Sequence, residues 1–260
     1  MPTRAAPPNG APTWADLWTS DVAGSRRFYG ELFGWESTDP QAEFGGYFTF
    51  SKDGVDVAGA MGDMGDMKAD NRWKVYFATD DAEATLKAAS AEGAQVLSGA
   101  MAVADLGVQS MLVDPSGAVF GTWQPGTFLG FTVLEEPGTP NWFELATRDH
   151  DRAVAFYRTV LGWEVAQTVT RGTQPPYTLL RPAEGGAPVA GIMDGSGFLP
   201  EGAPPSWSVY WQVDDAAASV ATVERLGGRT VMAPQASPYG TIAVVTDPSG
   251  AEFRFRSLPS

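Results

Sequence analysis

Hydrophobic and polar positions alternate with period two over residues 14–19, which predicts a strand. Over residues 22–33 the apolar positions return at helical spacing, with Asp21 as the predicted N-cap and Gly34 as the predicted stop. Three short extended runs follow at 35–38, 47–51 and 55–60, separated by Gly, Pro and Asp turns. The order then starts again with a strand at 72–79, a helix at 81–92 and strands at 95–97, 108–113 and 118–123. The pattern therefore predicts two βαβββ units in the first half of the chain.

The second half of the chain repeats this pattern with the same short motifs in the same order. Trp-x-(Asp/Glu)-Leu, Phe-Tyr and Gly-Trp-Glu recur 128 positions apart, Val-Ala-Gly-x-Met 132, Trp-x-Val-Tyr 134 and Asp-Pro-Ser-Gly 133. The offset changes only between motifs, as insertions confined to surface loops would produce. Two further βαβββ units are therefore predicted over 142–192 and 206–256.

A repeat of this length is too long for a solenoid and indicates two copies of one domain. The predicted organisation is a flexible N-terminus (1–12), a first domain (13–124), a linker that packs across the domains (125–140) and a second domain (141–257). Loops 61–71 and 193–205 occupy equivalent places in the two copies. Each is interpreted either as an adaptable apolar lid or as a mobile surface loop.

Composition narrows the possible partners and chemistry. The formal net charge is −14, and such a surface repels nucleic acid and anionic membranes. The chain has no cysteine, which removes disulfides, thiolate catalysis and thiolate-bound metals. It also shows no signal-peptide core and no apolar run of membrane-spanning length, so a cytoplasmic location is the default expectation. A monomer is favoured over a dimer, because the paired units are already present in one chain.

The duplicated βαβββ pattern resembles the vicinal oxygen chelate superfamily, which includes glyoxalase I, extradiol dioxygenases and bleomycin-resistance proteins. The resemblance rests on Phe-Tyr closing the first helix, the following Gly-Trp-Glu and the late Asp-Pro-Ser-Gly. It covers residues 13–256, and the pattern occurs twice within that range. The tandem arrangement is similar to an actinobacterial branch described as glyoxalase-like or hydroxylase-like. The resemblance implies an α+β fold in which four βαβββ units form two half-open β-barrel domains in tandem, with the ligand on the concave face.

The resemblance also implies three metal-ligand positions per domain, on the first, fifth and last strands, usually filled by His, His or Gln, and Glu. These positions are occupied by Trp14, Lys74 and Gly121 in the first copy and by Trp142, Ser208 and Arg254 in the second. Such residues do not suit a divalent cation. The single histidine, His150, is interpreted as a helix-cap residue beside Asp149. No metal ligand and no cofactor are therefore expected.

Strand alternation places the same positions and their i±2 neighbours on one concave face of each domain, which we call its cup. The first-domain cup comprises Trp14, Asp16, Trp18, Lys74, Tyr76, Gly121 and Trp123, and the second-domain cup comprises Trp142, Glu144, Ser208, Tyr210, Glu252 and Arg254. Asp16 is expected to face Lys74, and Glu144 to face Arg254. Because Gly121 stands where the second copy has Arg254, the first-domain cup is expected to be roomier and the better binding site.

Two interpretations of these cups stay open. The aromatic residues and ion pairs are either structural, as many buried ion pairs are, or they form a pocket that stacks a flat apolar ligand. In the second case the predicted catalytic residues are Asp16, Glu144 and Lys74, the last as a Schiff-base amine. The predicted ligand-binding residues are Trp14, Trp18, Tyr76, Trp123, Trp142, Ser208, Tyr210 and Arg254. Tyr47, Tyr177 and Tyr239 are candidates for hydroxyls at the rim.

Three functions follow from these interpretations. The first is metal-independent binding of a hydrophobic, aromatic natural product or drug, as in a sequestering or resistance protein. The second is a metal-free isomerase, cyclase, lyase or hydroxylase-type enzyme of specialised metabolism, in which Asp16 or Glu144 moves a proton. The third is a metal-dependent glyoxalase or dioxygenase with atypical oxygen ligands.

Overall fold

The computed structural model describes residues 7–170, 175–183 and 185–259, and these residues form two eight-stranded sheets, each with two helices. The first sheet and its helices are β1 (Pro12–Trp18), α1 (Val22–Phe33), β2 (Glu36–Ser37), β3 (Phe48–Lys52), β4 (Val55–Met61), β5 (Arg72–Ala78), α2 (Ala82–Ala91), β6 (Gln95–Val103), β7 (Gly107–Val113) and β8 (Val119–Pro125). A short 3-10 turn, Ala42–Phe44, precedes β3.

The second half of the chain repeats the same succession of elements. These are β9 (Pro140–Thr147), α3 (His150–Val160), β10 (Trp163–Val169), β11 (Tyr177–Pro182), β12 (Ala190–Asp194), β13 (Ser206–Gln212), α4 (Ala216–Arg225), β14 (Arg229–Ser237), β15 (Gly240–Thr246) and β16 (Glu252–Ser257). No helix in the described part of the chain has the length and apolar character needed to cross a bilayer.

Each sheet pairs two βαβββ units about its centre. The strand order of the first sheet is β2-β3-β4-β1-β5-β8-β7-β6, and the second sheet has the corresponding order. The first strands of the two units pair antiparallel, with Asp16 opposite Lys74 in one sheet and Glu144 opposite Ser208 in the other. The fourth strand of each unit pairs in parallel with its own first strand, as β4 does with β1 and β8 with β5. The predicted α+β fold, with two tandem half-open domains built from four βαβββ units, is confirmed.

The predicted start and end of helix α1 are confirmed by the groups that cap it. Asp21 accepts a hydrogen bond from the Gly24 N–H at 2.9 Å, and Gly34 closes α1 in the left-handed conformation with φ 70°, as predicted. Strand β6 is longer than predicted. It lies at the edge of its sheet next to β7, and most of its side chains are exposed. Its sequence therefore lacks the hydrophobic alternation from which the length of a strand is predicted.

The predicted flexible N-terminus, residues 1–12, is only partly tested. Residues 1–6 lie outside the described residues, whereas residues 10–12 are held in place, contrary to the prediction. The Gly10 N–H donates to the Ala78 carbonyl at 2.8 Å, and the Gly10 carbonyl accepts from Trp163 Nε1 at 2.8 Å. Residues 10–12 therefore belong to the contact between the two domains.

The repeated motifs fasten the two domains to each other. Tyr157 of the second Phe-Tyr pair donates its hydroxyl to Asp114 Oδ2 of the first Asp-Pro-Ser-Gly turn at 2.8 Å. Tyr29 donates in the same way to Asp247 Oδ2 at 3.2 Å. The repeated Gly-Trp adds a further bond across the interface, from Trp35 Nε1 to the Gly138 carbonyl at 2.9 Å. These contacts are buried among aromatic rings of both domains, so the convex faces and helices form one shared core.

Residues of the linker contact both domains. The Phe131 N–H donates to the Thr13 carbonyl at 2.7 Å, and the Phe131 ring lies between Trp14 and Phe143. The Gly138 N–H donates to the Gln212 carbonyl at 2.8 Å, which ties the linker to β13. The linker is thus an ordered part of both domains.

Candidate functional site

Each cup has a buried carboxylate at its centre, with two tyrosines beside it and a tryptophan that donates a hydrogen bond to one of them. In the second domain Glu144 Oε1 accepts from the Tyr210 hydroxyl at 3.0 Å, while Trp142 Nε1 donates to the Tyr177 hydroxyl at 2.8 Å. Burial and the charge of the nearby Glu144 raise the pKa of the Tyr177 hydroxyl. The carboxylate is 3% exposed, so these hydroxyls replace the water that would otherwise solvate it.

The first domain repeats this arrangement around Asp16. The Tyr47 hydroxyl donates to Asp16 Oδ1 at 2.8 Å and accepts from Trp14 Nε1 at 2.8 Å. Tyr76, on β5, lies beside the same carboxylate, and burial together with the Asp16 charge raises the pKa of its hydroxyl. Tyr47 was predicted as a rim residue, and this is wrong, because its hydroxyl lies at the centre of the cup against Asp16.

The glycine of the repeated Val-Ala-Gly-x-Met motif makes room for these tyrosines. Gly59 lies opposite Asp16 in the sheet, and Gly191 lies opposite Glu144. A Cβ atom at Gly59 would collide with the Tyr47 hydroxyl, and one at Gly191 would collide with the Tyr177 ring. The repeated glycine therefore marks the strand position over which a tyrosine side chain passes to reach the carboxylate.

The two carboxylates differ in their charge compensation. Arg254 Nη1 contacts Glu144 Oε1 and donates to the Tyr210 hydroxyl at 2.8 Å, so the predicted pairing of Glu144 with Arg254 is present. Burial by itself would lower the pKa of Arg254, but Tyr210 and Glu144 raise it above its ordinary value. Burial, reinforced by the nearby Glu144 charge, raises the pKa of Tyr177 and of Tyr210. Both hydroxyls therefore stay protonated and act as hydrogen-bond donors at neutral pH.

Within the described part of the chain, Asp16 has no ion-pair partner of this kind. Its predicted partner, Lys74, is on the same face of the sheet, but Lys74 Nζ pairs with Asp70 and lies 5.4 Å from the centre of the Trp18 ring. The predicted Asp16–Lys74 pair is therefore wrong, because the lysine stem reaches past Asp16 to the loop before β5. Burial raises the pKa of Asp16 to about 6, although hydrogen bonds from Tyr47, Tyr76 and Trp14 lower it in part.

The raised pKa of Asp16 predicts that the protein becomes less stable as the pH rises from about 4 to about 6. In that window the unfolded chain has lost the Asp16 proton while the folded chain retains it, so rising pH favours unfolding. A shift from 3.8 to about 6 corresponds to a loss of about 3 kcal/mol in the free energy of unfolding. The measurement is urea unfolding of the wild type and Asp16→Asn between pH 4 and 7, in which the variant should lack this loss.

Asp66→Asn is the control for that measurement, because Asp66 is exposed in the loop after β4. Its pH profile should follow that of the wild type. Burial also raises the pKa of Asp56 and Asp247, so a shallower slope of the same sign should persist in Asp16→Asn. Parallel profiles for the wild type and Asp16→Asn would contradict the assignment of the effect to Asp16.

The lysine proposed as a Schiff-base amine lies within an ion pair. Burial lowers the pKa of Lys74, and the hydrogen bond to Asp70 opposes that shift. The side chain is 6% exposed and its nitrogen is engaged by the Asp70 carboxylate. Ser208 is buried beside Glu144 on the neighbouring strand, as its predicted position requires.

The first-domain cup is filled, which contradicts the expectation that it is the roomier one. A Cβ atom at Gly121 would collide with the Tyr76 ring, so the tyrosine already occupies the space that the glycine leaves. Phe128 of the linker packs edge-on against Trp14 with ring centres 4.8 Å apart, and its carbonyl accepts from Trp123 Nε1 at 2.9 Å. Trp14 and Trp123 are buried as a result.

A cavity of about 400 Å³ lies instead in the second-domain cup. Its lining is mostly apolar and aromatic, with polar groups at a few points: Trp142, Glu144, Val169, Pro175, Tyr177, Leu179, Pro188, Met193, Tyr210, Ser237, Pro238, Tyr239, Ile242 and Arg256. The predicted residues Trp142, Glu144 and Tyr210 are thus brought together at one cavity. Tyr239 also lines it and is 44% exposed, in agreement with its predicted place at the rim.

Sequence reasoning missed Arg256, Leu179 and Ile242. Arg256 is on the same face of β16 as Arg254, two residues further on, so strand alternation was a sufficient signal. Leu179 and Ile242 lie on β11 and β15, at some distance from the motifs on which the sequence reasoning concentrated. Their contribution depends on the curvature of the sheet, which the strand pattern by itself does not give.

The residues at the three metal-ligand positions of the fold do not fit a divalent ion in either domain. An indole N–H, the Lys74 ammonium and the Arg254 guanidinium are donors or cations and offer no lone pair for coordination. Among the described residues there is no group of three or more His, Cys, Asp or Glu side chains suited to a metal. The Glu144 carboxylate is already engaged by Arg254 and Tyr210.

Comparison with known proteins shows the same duplication. The family model of the glyoxalase-like domain matches twice, over residues 14–122 and 142–256. The chain is 39% identical to the anthracycline biosynthesis protein DauV of Streptomyces sp. strain C5, covering 96% of this chain and 94% of that protein. It is 35% identical to the putative glyoxylase CFP32 of Mycobacterium tuberculosis, covering 97% of each.

Solved structures agree with this result at the level of the fold. The Mn(II)-bound glyoxalase of Novosphingobium aromaticivorans is similar with a TM-score of 0.67 and 19% identity, covering 96% of this chain and 82% of that one. The 2,3-dioxygenase LapB of Pseudomonas sp. KL28 is similar with a TM-score of 0.66 and 15% identity, covering 97% and 95%.

Proposed function

We propose that this chain, which belongs to the glyoxalase-like domain family in two tandem copies, binds a flat aromatic small molecule in the second-domain cavity without a metal ion. The observation that carries the proposal is the cavity of about 400 Å³ in the second-domain cup. Cavities that take drug-sized ligands measure roughly 300–1,000 Å³ and are mostly apolar, with few polar groups that orient the ligand.

The lining of the cavity supports a flat ligand. Trp142, Tyr177 and Tyr210 present aromatic groups, while Leu179 and Ile242 add aliphatic surface. Rings of a ligand pack favourably against such side chains in offset or edge-on contacts. A polycyclic aromatic molecule would therefore bury most of its surface in this cavity.

The relatives point to the same class of ligand. DauV and DnrV are named as anthracycline biosynthesis proteins, and the chain is 39% and 38% identical to them over nearly its whole length. Anthracyclines are built on a flat polycyclic aromatic framework. We therefore expect a polycyclic aromatic natural product of this kind, held as in a sequestering or resistance protein.

The polar groups of the cavity favour binding over proton transfer. Glu144 contacts Arg254 and accepts a hydrogen bond from the Tyr210 hydroxyl. This carboxylate is therefore engaged by protein groups, which favours a structural role over contact with a reacting ligand atom. Asp16 has a pKa better suited to proton transfer, but the first-domain cup around it is filled by Tyr76 and Phe128.

The test is to fill the cavity and measure ligand binding. Ile242→Trp places a large ring in the cavity and should weaken the binding of 1,4-dihydroxyanthraquinone at least about 100-fold, which corresponds to about 2.7 kcal/mol. Quenching of tryptophan fluorescence in the wild type reports the binding, and calorimetry measures the affinity of both proteins. Added EDTA should leave the wild-type affinity unchanged.

The duplication supplies a matched control. Gln109 on β7 is the counterpart of Ile242 in the first domain, so Gln109→Trp makes the same change in the filled cup and should leave binding unchanged. Loss of binding in Gln109→Trp but not in Ile242→Trp would transfer the site to the first domain. Failure of the wild type to bind any of a broad panel of flat aromatic compounds would overturn the proposal. Ligand recovered chemically altered would favour the metal-free enzyme.

A further inference from the structure

We propose that the ligand of the second-domain cavity carries an acidic oxygen, a carboxylate or an acidic phenol, and that Arg256 recognises it. This inference rests on the proposed function and specifies a polar group of the ligand in addition to its aromatic rings. Arg256 lines the cavity from β16, next to the apolar side chain of Ile242, its cross-strand neighbour on β15.

The two domains have chemically different side chains at the position of Arg256. Arg256 is the counterpart of Trp123, which in the first domain is buried and donates to the carbonyl of Phe128. In the second domain the guanidinium takes that place and Arg256 Nε donates to the Tyr239 carbonyl at 2.7 Å. Exchanging an indole for a guanidinium opens space and adds a positive charge at the wall of the same cup.

The hydrogen bond to Tyr239 fixes the guanidinium and leaves most of its donors available. A guanidinium has five N–H donors, and the Nε–H of Arg256 is the donor used by Tyr239. Within the described residues, neither terminal nitrogen of Arg256 has a hydrogen-bond or ion-pair partner. These nitrogens form the planar fork that binds two oxygens of a carboxylate or neighbouring phenol and ketone oxygens.

The balance of charge in the cavity favours an anion. Glu144 and Arg256 are the charged residues of the described lining. Glu144 is already neutralised by Arg254 beneath it, so Arg256 contributes a positive charge without a counterion among the described residues. The cavity therefore carries a local positive charge, although the net charge of the whole chain is −14. An acidic oxygen of the ligand would compensate this charge.

The experiment compares two ligands of the same shape, the anionic anthraquinone-2-carboxylate and the neutral anthraquinone-2-carboxamide, by calorimetry at pH 7.5. The wild type should bind the carboxylate about tenfold or more tightly than the carboxamide, since a charge-assisted fork replaces a neutral contact. Arg256→Met keeps the apolar stem and removes the charge. It should abolish this preference while the affinity for the carboxamide changes less than about threefold.

Two further variants complete the test. Arg256→Lys retains the charge without the planar fork and should keep an intermediate preference. Arg229→Met removes a positive charge from the exposed start of β14 and should behave like the wild type. An equally strong preference in Arg256→Met, or equal wild-type affinities for the two ligands, would overturn the inference and leave the proposed function standing. If the wild type binds 1,4-dihydroxyanthraquinone but neither of these two ligands, the inference fails and the proposed function stands; if it binds none of the three or of the broader aromatic panel, both fail.

Discussion

Replacing Arg254 by methionine is expected to lower the free energy of unfolding by about 3–5 kcal/mol, because it leaves the Glu144 carboxylate buried without its cation. Glu144 is 3% exposed, and the hydrogen bond from Tyr210 cannot replace a full positive charge. Urea unfolding at pH 7.5, followed by circular dichroism, measures the loss.

The double variant Glu144→Gln/Arg254→Met separates the burial of an unpaired charge from loss of packing. Removing both charges should recover most of the stability, because a buried ion pair itself contributes little net free energy. Arg181→Met is the matched control: its ion pair with Glu164 is partly exposed and should cost no more than about 1 kcal/mol. A double variant as unstable as Arg254→Met would show that the guanidinium matters for its packing and not for its charge.

The double substitution Tyr29→Phe/Tyr157→Phe is expected to lower the free energy of unfolding by about 4–6 kcal/mol. Each tyrosine hydroxyl accepts from a buried indole, Trp73 Nε1 at 3.2 Å or Trp207 Nε1 at 2.7 Å, and donates to an aspartate of the other domain. Phenylalanine leaves the indole N–H and the aspartate Oδ2 buried without this hydrogen-bond partner, at about 2–3 kcal/mol for each site.

Thermal and urea unfolding of the double variant, the single variants and Tyr239→Phe test this expectation. Tyr239 is 44% exposed, so loss of its hydroxyl should change stability by less than about 0.5 kcal/mol. Because the two bonds connect the domains, the double variant should also show the domains unfolding in separate steps. A single transition with a loss as small as that of Tyr239→Phe would contradict the role assigned to these hydroxyls.

Much of the candidate site follows from strand alternation, but its contacts do not. Alternation placed Asp16 and Lys74 on one face, and they are indeed cross-strand neighbours. It could not show that the long lysine side chain pairs with Asp70 instead. For Glu144 and Arg254 the same reasoning gave the correct partner, because β16 carries Arg254 on the other side of β13 from Glu144 and its guanidinium contacts that carboxylate directly.

Comparison of the two sequence copies gave a wrong prediction of which cup is roomier. Gly121 in place of Arg254 indicates free space only if the neighbouring rings stay where they are. In the structure the Tyr76 ring fills that space and the linker adds Phe128. The monomeric state and the cytoplasmic location stay predictions.

The sequence by itself determined the number of units, the order of their elements and the faces of the central strands. Periodicity and repeated motifs are local properties, and duplication let each copy verify the other. The same motifs are used mainly to join the domains, through Tyr29, Tyr157 and the two Asp-Pro-Ser-Gly turns. Only the tertiary structure decided which cup is open. That outcome depends on where long side chains and the linker pack, and such packing couples residues that are far apart in the chain.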